Sequence, residues 1–279
     1  MRVPARVDRR PRGPDRGAQR VGEARLWLRN YSPAPGADIR LVCFPHAGGA
    51  ASAYHPMAKA LSPSVDVSAV QYPGRQDRRT EPCAESLAEL ADRIVPVLSA
   101  LDDDRPLALF GHSMGATVAY EVARRLERSA GTPAPVLVLL SGRRPPHHAT
   151  QLGGVHLRDD AGVLRELSFL GGSVMEALAD PELLELVMPA IRGDYRAVET
   201  YVHVPGPPLR CPVVALTGDA DPRASVAEVE DWREYTTGTF GLHVFPGGHF
   251  YLQDRGGDDV HETVRAHLAG LTARGAGPR

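Results

Sequence analysis

Gly111-His112-Ser113-Met114-Gly115 places a serine between two glycines at G-x-S-x-G spacing. A serine hydroxyl is a weak nucleophile, and this spacing suits one presented at the apex of a sharp strand-to-helix turn. Leu107–Phe110 before it reads as a strand and Ala116–Leu126 after it as a helix. A chance Gly-Ser-Gly turn needs neither flank. The chemistry would be acyl transfer, with the hydroxyl attacking a carbonyl and a base taking its proton. His249 is the candidate base. It lies in Pro246-Gly247-Gly248-His249-Phe250, after the strand candidate Leu242–Phe245 and close to the chain's end. That position fits a triad in the order Ser, acid, His. Among the other histidines, His112 is in the turn itself and His46 in another loop. His147 and His148 precede any candidate acid, and His243 alternates within a strand. His261 and His267 sit on the last helical run, where exposure to solvent is expected.

The acid belongs after a strand between Ser113 and His249. Val213–Thr217 is such a strand, followed by Gly218-Asp219-Ala220-Asp221-Pro222. Two carboxylates compete. Asp221 is favoured, because Pro222 biases it toward an extended conformation and it lies three residues past Gly218, deep enough in the loop to reach the histidine. Asp219 then braces the turn through backbone hydrogen bonds. The developing oxyanion needs two backbone N–H groups. Met114, after the serine, supplies one. The other comes from Phe44-Pro45-His46-Ala47-Gly48-Gly49, whose glycines allow close backbone approach, and Ala47 is the chosen donor. A phosphate-cradling loop is the alternative, but the Lys-Ser/Thr of a P-loop is missing. No metal or cofactor is needed for this chemistry.

Elements must position these groups. Short β-rich runs (Arg40–Phe44, Val65–Tyr72, Pro106–Phe110, Val136–Leu140, Val213–Thr217, Leu242–Phe245) alternate with helical patterns. The helical candidates are Ala51–Leu61, Ala84–Leu101, Met114–Ser129, Val226–Tyr235 and Val260–Leu271. The near-continuous apolar strands predict an α/β fold, a mostly parallel sheet with helices on both faces. Residues 147–205 break the rhythm. Ala161–Leu170 and Pro181–Tyr201 are helical with no strand between, with Asp180 as N-cap and Pro181 at the first helical position. A short segment, Ser173–Leu178, follows Gly171-Gly172. This reads as an inserted helical lid above the sheet's C-terminal edge.

The chain of 279 residues is 43% hydrophobic and 24% charged, which excludes collagen-like, wholly disordered and disulfide-framework classes. Its net charge of −2 gives no global sign of a nucleic-acid partner, and no run of 18 apolar residues predicts a membrane span. Cys43, Cys83 and Cys211 lie in or near apolar segments, none in a CxxC, and read as reduced structural residues of a cytoplasmic protein. A nucleophilic cysteine is the alternative. The first 25 residues carry eight Arg and no apolar core, so residues 1–24 read as a disordered tail rather than a secretory signal. Residues 25–272 form the domain, and 273–279 a flexible end.

FPHAGG (44–49), QYPGRQDR (71–78), GHSMGA (111–116), LTGDADP (216–222) and FPGGHFYL (245–252) together resemble the stand-alone type II thioesterases that serve modular polyketide synthases and nonribosomal peptide synthetases. The stretch Leu186–Tyr201 is similar to the lid of that family. The resemblance spans roughly residues 25–270. It implies an α/β-hydrolase fold with a helical lid, and hydrolysis of aberrant or stalled acyl groups from the phosphopantetheine arm of acyl or peptidyl carrier proteins. By position it implies Ser113 as nucleophile, His249 as base, Asp221 as acid, and Ala47 with Met114 as oxyanion donors. Arg75, Arg78 and Arg79 are expected to face solvent, either meeting a carrier protein's acidic face or phosphate or forming a solvated charge run. A generic ester hydrolase or lipase, a chain-releasing thioesterase and a noncatalytic binding protein are the rival functions. An intact Ser, His and Asp set argues against the last.

Overall fold

The computed structural model describes residues 22, 24–101, 104–129, 131–148, 153–171, 180–253 and 257–275. The expected tail falls almost wholly outside these, as does the expected segment Ser173–Leu178. Seven strands form one sheet in the order β1-β3-β2-β4-β5-β6-β7. They are β1 (Leu28–Arg29), β2 (Ile39–Phe44), β3 (Val65–Val70), β4 (Leu107–His112), β5 (Leu137–Ser141), β6 (Val213–Gly218) and β7 (Phe240–Phe245). Only β1 is antiparallel to its neighbour. Strands β3, β4, β5 and β6 are buried along their whole length, which explains the near-continuous apolar runs of β4, β5 and β6; β3 carries Asp66 and Ser68 among its apolar residues. The edge strand β7 is only partly covered and alternates more. The two-residue β1 was not expected; so short an element carries no periodicity to read.

Helices α1 (His55–Leu61), α2 (Leu87–Ser99), α3 (Met114–Arg128), α6 (Val226–Glu230) and α7 (Gly257–Gly275) alternate with the strands. One core lies against α2 and α3 and includes Trp232, Ile94 and Val118; the other lies against α1 and α7 and includes Leu61, Phe110 and Val264. Helix α2 starts later than its apolar pattern suggests because Ser86 caps it, its side chain accepting from Glu89 N–H at 3.1 Å. The expected helix over 226–235 is α6 followed by a 3-10 turn, Asp231–Tyr235.

Between β5 and β6 the chain makes α4 (Asp160–Leu170) and α5 (Pro181–Glu199). Asp180 caps α5, accepting from Glu182 N–H, with Pro181 at the first turn as expected. Val155, Val163, Met188, Ile191 and Tyr195 bury one another in a third apolar cluster, against which Ala47 of the loop after β2 also packs.

Strand order reverses between β2 and β4, since β3 lies on one side of that pair and β5 on the other. Loops leaving the carboxyl ends of β2 and β4 therefore diverge and open a crevice, where ligands of open α/β sheets bind. FPHAGG leaves β2 there and Ser113 leaves β4 there.

Candidate active site

Ser113 sits between β4 and α3 with φ 54° and ψ −119°. A non-glycine residue with positive φ is strained by about 1–3 kcal/mol, and surrounding structure must hold it. Here Ser113 N–H donates to Ser141 O at 2.8 Å, and Ser113 O accepts from Ala116 N–H at 3.0 Å. The flanking glycines are required by crowding. A Cβ on Gly111 would lie 2.1 Å from Gly115 O, and one on Gly115 would lie 2.0 Å from Phe44 O. No side chain fits at either.

The structure brings the three predicted side chains together. His249 Nε2 lies 2.9 Å from Ser113 Oγ, and His249 Nδ1 lies 2.9 Å from Asp221 Oδ2 and 3.0 Å from Oδ1. A carboxylate only accepts, so Nδ1 carries the proton and Nε2 is left to accept from the serine hydroxyl. Both His249 and Asp221 are buried. Asp221 Oδ1 also accepts from Arg223 N–H at 2.8 Å, which fixes the carboxylate. Asp219 instead accepts from Gly247 N–H at 2.9 Å and donates its own N–H to Phe245 O, bracing the loop against the histidine loop.

In the loop after β2, Gly48 N–H donates to Asp194 Oδ2 at 2.7 Å and Gly49 N–H to His46 O at 2.9 Å. Ala47 N–H has no such acceptor among the described residues. Met114 N–H opens α3, where the helix leaves its first amides unpaired and the helix dipole favours negative charge. Ala47, Ser113, Met114 and His249 line one cavity of about 40 Å³, closed by Glu166, Leu170, Tyr195 and Val198 of α4 and α5. A larger cavity of about 640 Å³ lies alongside. Ala47 borders both, but Ser113 does not line the larger one.

Two readings need correction. Arg75 and Arg78 are buried and do not face solvent; Arg79 is exposed. Arg75 forms a bidentate pair with Asp194 of α5, at 2.6 and 2.7 Å, and donates to Gly49 O at 2.9 Å. Arg78 pairs with Glu81, donates to Gln71 O and stacks over the Trp27 ring. Asp194, which pairs with Arg75, and Trp27, which covers Arg78, lie far along the chain, and a run of like charges shows neither. His261 is likewise buried and His267 half-buried, its Nε2 2.8 Å from His243 Nε2, because α7 packs its second face on the sheet edge.

Two further imidazoles surround the site. His112 Nδ1 meets Ser141 Oγ at 2.9 Å, and Ser141 Oγ meets Tyr251 OH at 2.5 Å, tying β4 and β5 to the loop that carries His249. Burial pushes the His112 imidazole well below its usual range, and burial, with His249 and Arg75 adding, pushes His46 down to about 4. Both are therefore neutral at neutral pH. Below about pH 6.5 the unfolded chain takes up protons that folded His46 refuses, so the stability from burying it neutral is present above 6.5 and lost as pH falls toward 4. We expect Tm to drop across that window, and less steeply in His46→Gln. Parallel Tm–pH profiles for the two proteins would contradict this origin.

The sequence matches the thioesterase domain family over residues 39–268. The chain belongs to the thioesterase family. It is 48% identical over 251 residues to "Thioesterase PikA5" of Streptomyces venezuelae, covering 90% of this thioesterase and 88% of that protein. It is 51% identical over 229 residues to the "Probable cadicidin biosynthesis thioesterase" of Streptomyces griseus, covering 82% of this chain but 62% of that longer protein. Among solved structures it is similar to the type II thioesterase BorB from the borrelidin biosynthetic cluster. The TM-score is 0.80 at 49% identity, over 87% of this chain and 98% of that one. The thioesterase thus has the α/β-hydrolase fold expected of it and acts as a hydrolase on thioesters. No described helix is long and apolar enough to cross a membrane.

Proposed function

We propose that this thioesterase hydrolyses aberrant or stalled acyl groups from the phosphopantetheine arm of carrier proteins in polyketide or nonribosomal peptide biosynthesis. The observation that carries the chemistry is the unbroken chain from Ser113 Oγ through His249 to Asp221, each link 2.9 Å, on a cavity bordered by Ala47 and Met114. Ser113 Oγ bonds to the thioester carbonyl carbon while His249 Nε2 takes its proton, and the carbonyl oxygen becomes an oxyanion facing the Ala47 and Met114 amides. The intermediate collapses with cleavage of the C–S bond, and His249 returns the proton to the leaving pantetheine sulfur. Water then attacks the acyl-serine, again giving a proton to His249, and the carboxylic acid departs as Ser113 regains its hydrogen. Asp221 stabilises the imidazolium formed in each half.

Helices α4 and α5 act as the lid in this reading. Glu166 and Leu170 of α4 and Tyr195 and Val198 of α5 line the cavity at Ser113, so the two helices border the path of an acyl-pantetheine to the serine. Arg223, two residues past Asp221, pairs with Glu166 and ties α4 to the acid loop. Relatives named for cadicidin biosynthesis and for the borrelidin biosynthetic cluster support carrier proteins as partners.

The test compares acyl-phosphopantetheinyl carrier proteins with free acyl-thioester mimics and p-nitrophenyl esters. The expected result is kcat/KM at least about tenfold higher for the carrier-bound acyl group, and dependent on Ser113. Equal turnover of the ester would favour a generic hydrolase. A preference for full-length products over short stalled acyl groups would favour chain release.

A further inference from the structure

Where the chain leaves β5 for the inserted helices, two consecutive histidines face one carboxylate. His148 Nε2 lies 2.7 Å from Asp231 Oδ2, and His147 Nε2 lies 3.6 Å from the same oxygen. One ligand-type atom from each of the three residues lies within 4.8 Å of the other two. Asp231 opens the 3-10 turn that precedes β7, so the three groups come from two separate parts of the fold. We propose that His147, His148 and Asp231 form a binding site for zinc, outside the acyl-transfer machinery, that fastens the root of the insertion to the rim of the sheet.

Donor chemistry selects the metal. Two imidazole nitrogens and one carboxylate oxygen suit borderline zinc, with solvent completing four-coordination, whereas calcium and magnesium prefer all-oxygen sites. The second layer is already in place. His147 Nδ1 lies 3.1 Å from Tyr235 OH, and the His147 ring stacks against that of Tyr235 at an interplanar angle of 7°. With Nδ1–H donating to the phenol oxygen, the lone pair of His147 Nε2 is turned toward Asp231, the orientation a metal ligand requires. In the metal-free chain His148 Nε2–H donates to Asp231. On binding, that proton relocates to His148 Nδ1 and the freed Nε2 lone pair joins the ion, so neutral histidines need lose no proton.

Local charge favours a dication. Residues 228–235 hold Glu228, Glu230, Asp231 and Glu234 against Arg233 alone. Arg144 pairs with Glu228 and Arg233 with Glu230, leaving the segment net negative around Asp231. All three ligands are reachable, with side chains 41%, 25% and 40% exposed, so the ion needs no opening of the fold. Cys43 and Cys211 are buried and offer no competing site, which leaves the His243–His267 pair and the partly exposed Cys83 as rivals among the described residues.

The test is calorimetric titration of the full-length, chelator-treated protein with zinc chloride, supported by cobalt(II) absorption, whose intensity reports four-coordination. The expected result is saturable 1:1 binding that raises Tm. His148→Ala and Asp231→Asn should each weaken it at least tenfold, Tyr235→Phe by about tenfold, and His267→Ala not at all. Circular dichroism of the zinc-free variants checks that they are folded. Absence of saturable binding overturns the proposal. So does binding that survives in His148→Ala and Asp231→Asn, or is lost in His267→Ala, because the ion would then sit elsewhere.

Discussion

Ser113→Ala is expected to lower kcat for thioester hydrolysis by about 10⁴- to 10⁶-fold with the fold intact, because the triad acts as a unit and the rest of it has nothing to activate. Removing Oγ leaves His249 and Asp221 paired at 2.9 Å, so thermal stability should hold. The informative comparison is between the two loop carboxylates. Asp221→Asn should cost about 10⁴-fold, since an amide neither fixes the His249 tautomer nor offsets the imidazolium charge. Asp219→Asn keeps an oxygen to accept from Gly247 N–H, which lies 2.9 Å away, and should cost less than about tenfold. Single-turnover hydrolysis of an acyl-thioester mimic measures all three. Equal losses for Asp219→Asn and Asp221→Asn would sink the assignment of the acid.

How far such roles can be read without coordinates depends on how local the signal is. The serine turn, the β2 loop and the histidine loop were legible because tight turns impose glycine at fixed offsets, and those offsets survive in the sequence. The choice of Asp221 over Asp219 rested on the conformational restriction before Pro222, again a local effect. The strands were legible wherever both faces are buried. What escaped was long-range. Arg75 looked like a surface charge because its partner is 119 residues away, on an inserted helix. Arg78 looked the same because Trp27 covers it from the start of the domain. His261 looked solvated because the packing of α7 against α1 and the sheet edge leaves no mark in the spacing of a helix of mixed polarity. Charge is a good guide to exposure only when no buried partner exists.

Arg75 also carries the second large prediction, because its pair with Asp194 bears on both stability and catalysis. The two side chains are 6% and 5% exposed, so removing one strands the other as a buried charge. Arg75→Met should destabilise the protein by about 3–5 kcal/mol. Asp194 Oδ2 accepts from Gly48 N–H as well as from Arg75, and Arg75 holds Gly49 O, so the pair grips the turn beside Ala47 from both sides. Gly48 itself has φ +74°, and a Cβ there would lie 2.8 Å from Ile191 Cγ1 of α5, which leaves that turn little freedom to relax. The double variant Arg75→Met/Asp194→Leu separates the two effects. Replacing a buried ion pair by apolar groups is often neutral for stability, so urea unfolding should show most of the lost stability restored. Gly48 N–H would still lack its acceptor, and a misplaced Ala47 amide should leave kcat lowered by about 10- to 100-fold with KM little changed. If the double variant regains full kcat, the pair serves packing alone. If kcat stays low while stability returns, the buried ion pair is a positioning device for the oxyanion loop, built across the junction of sheet and insertion.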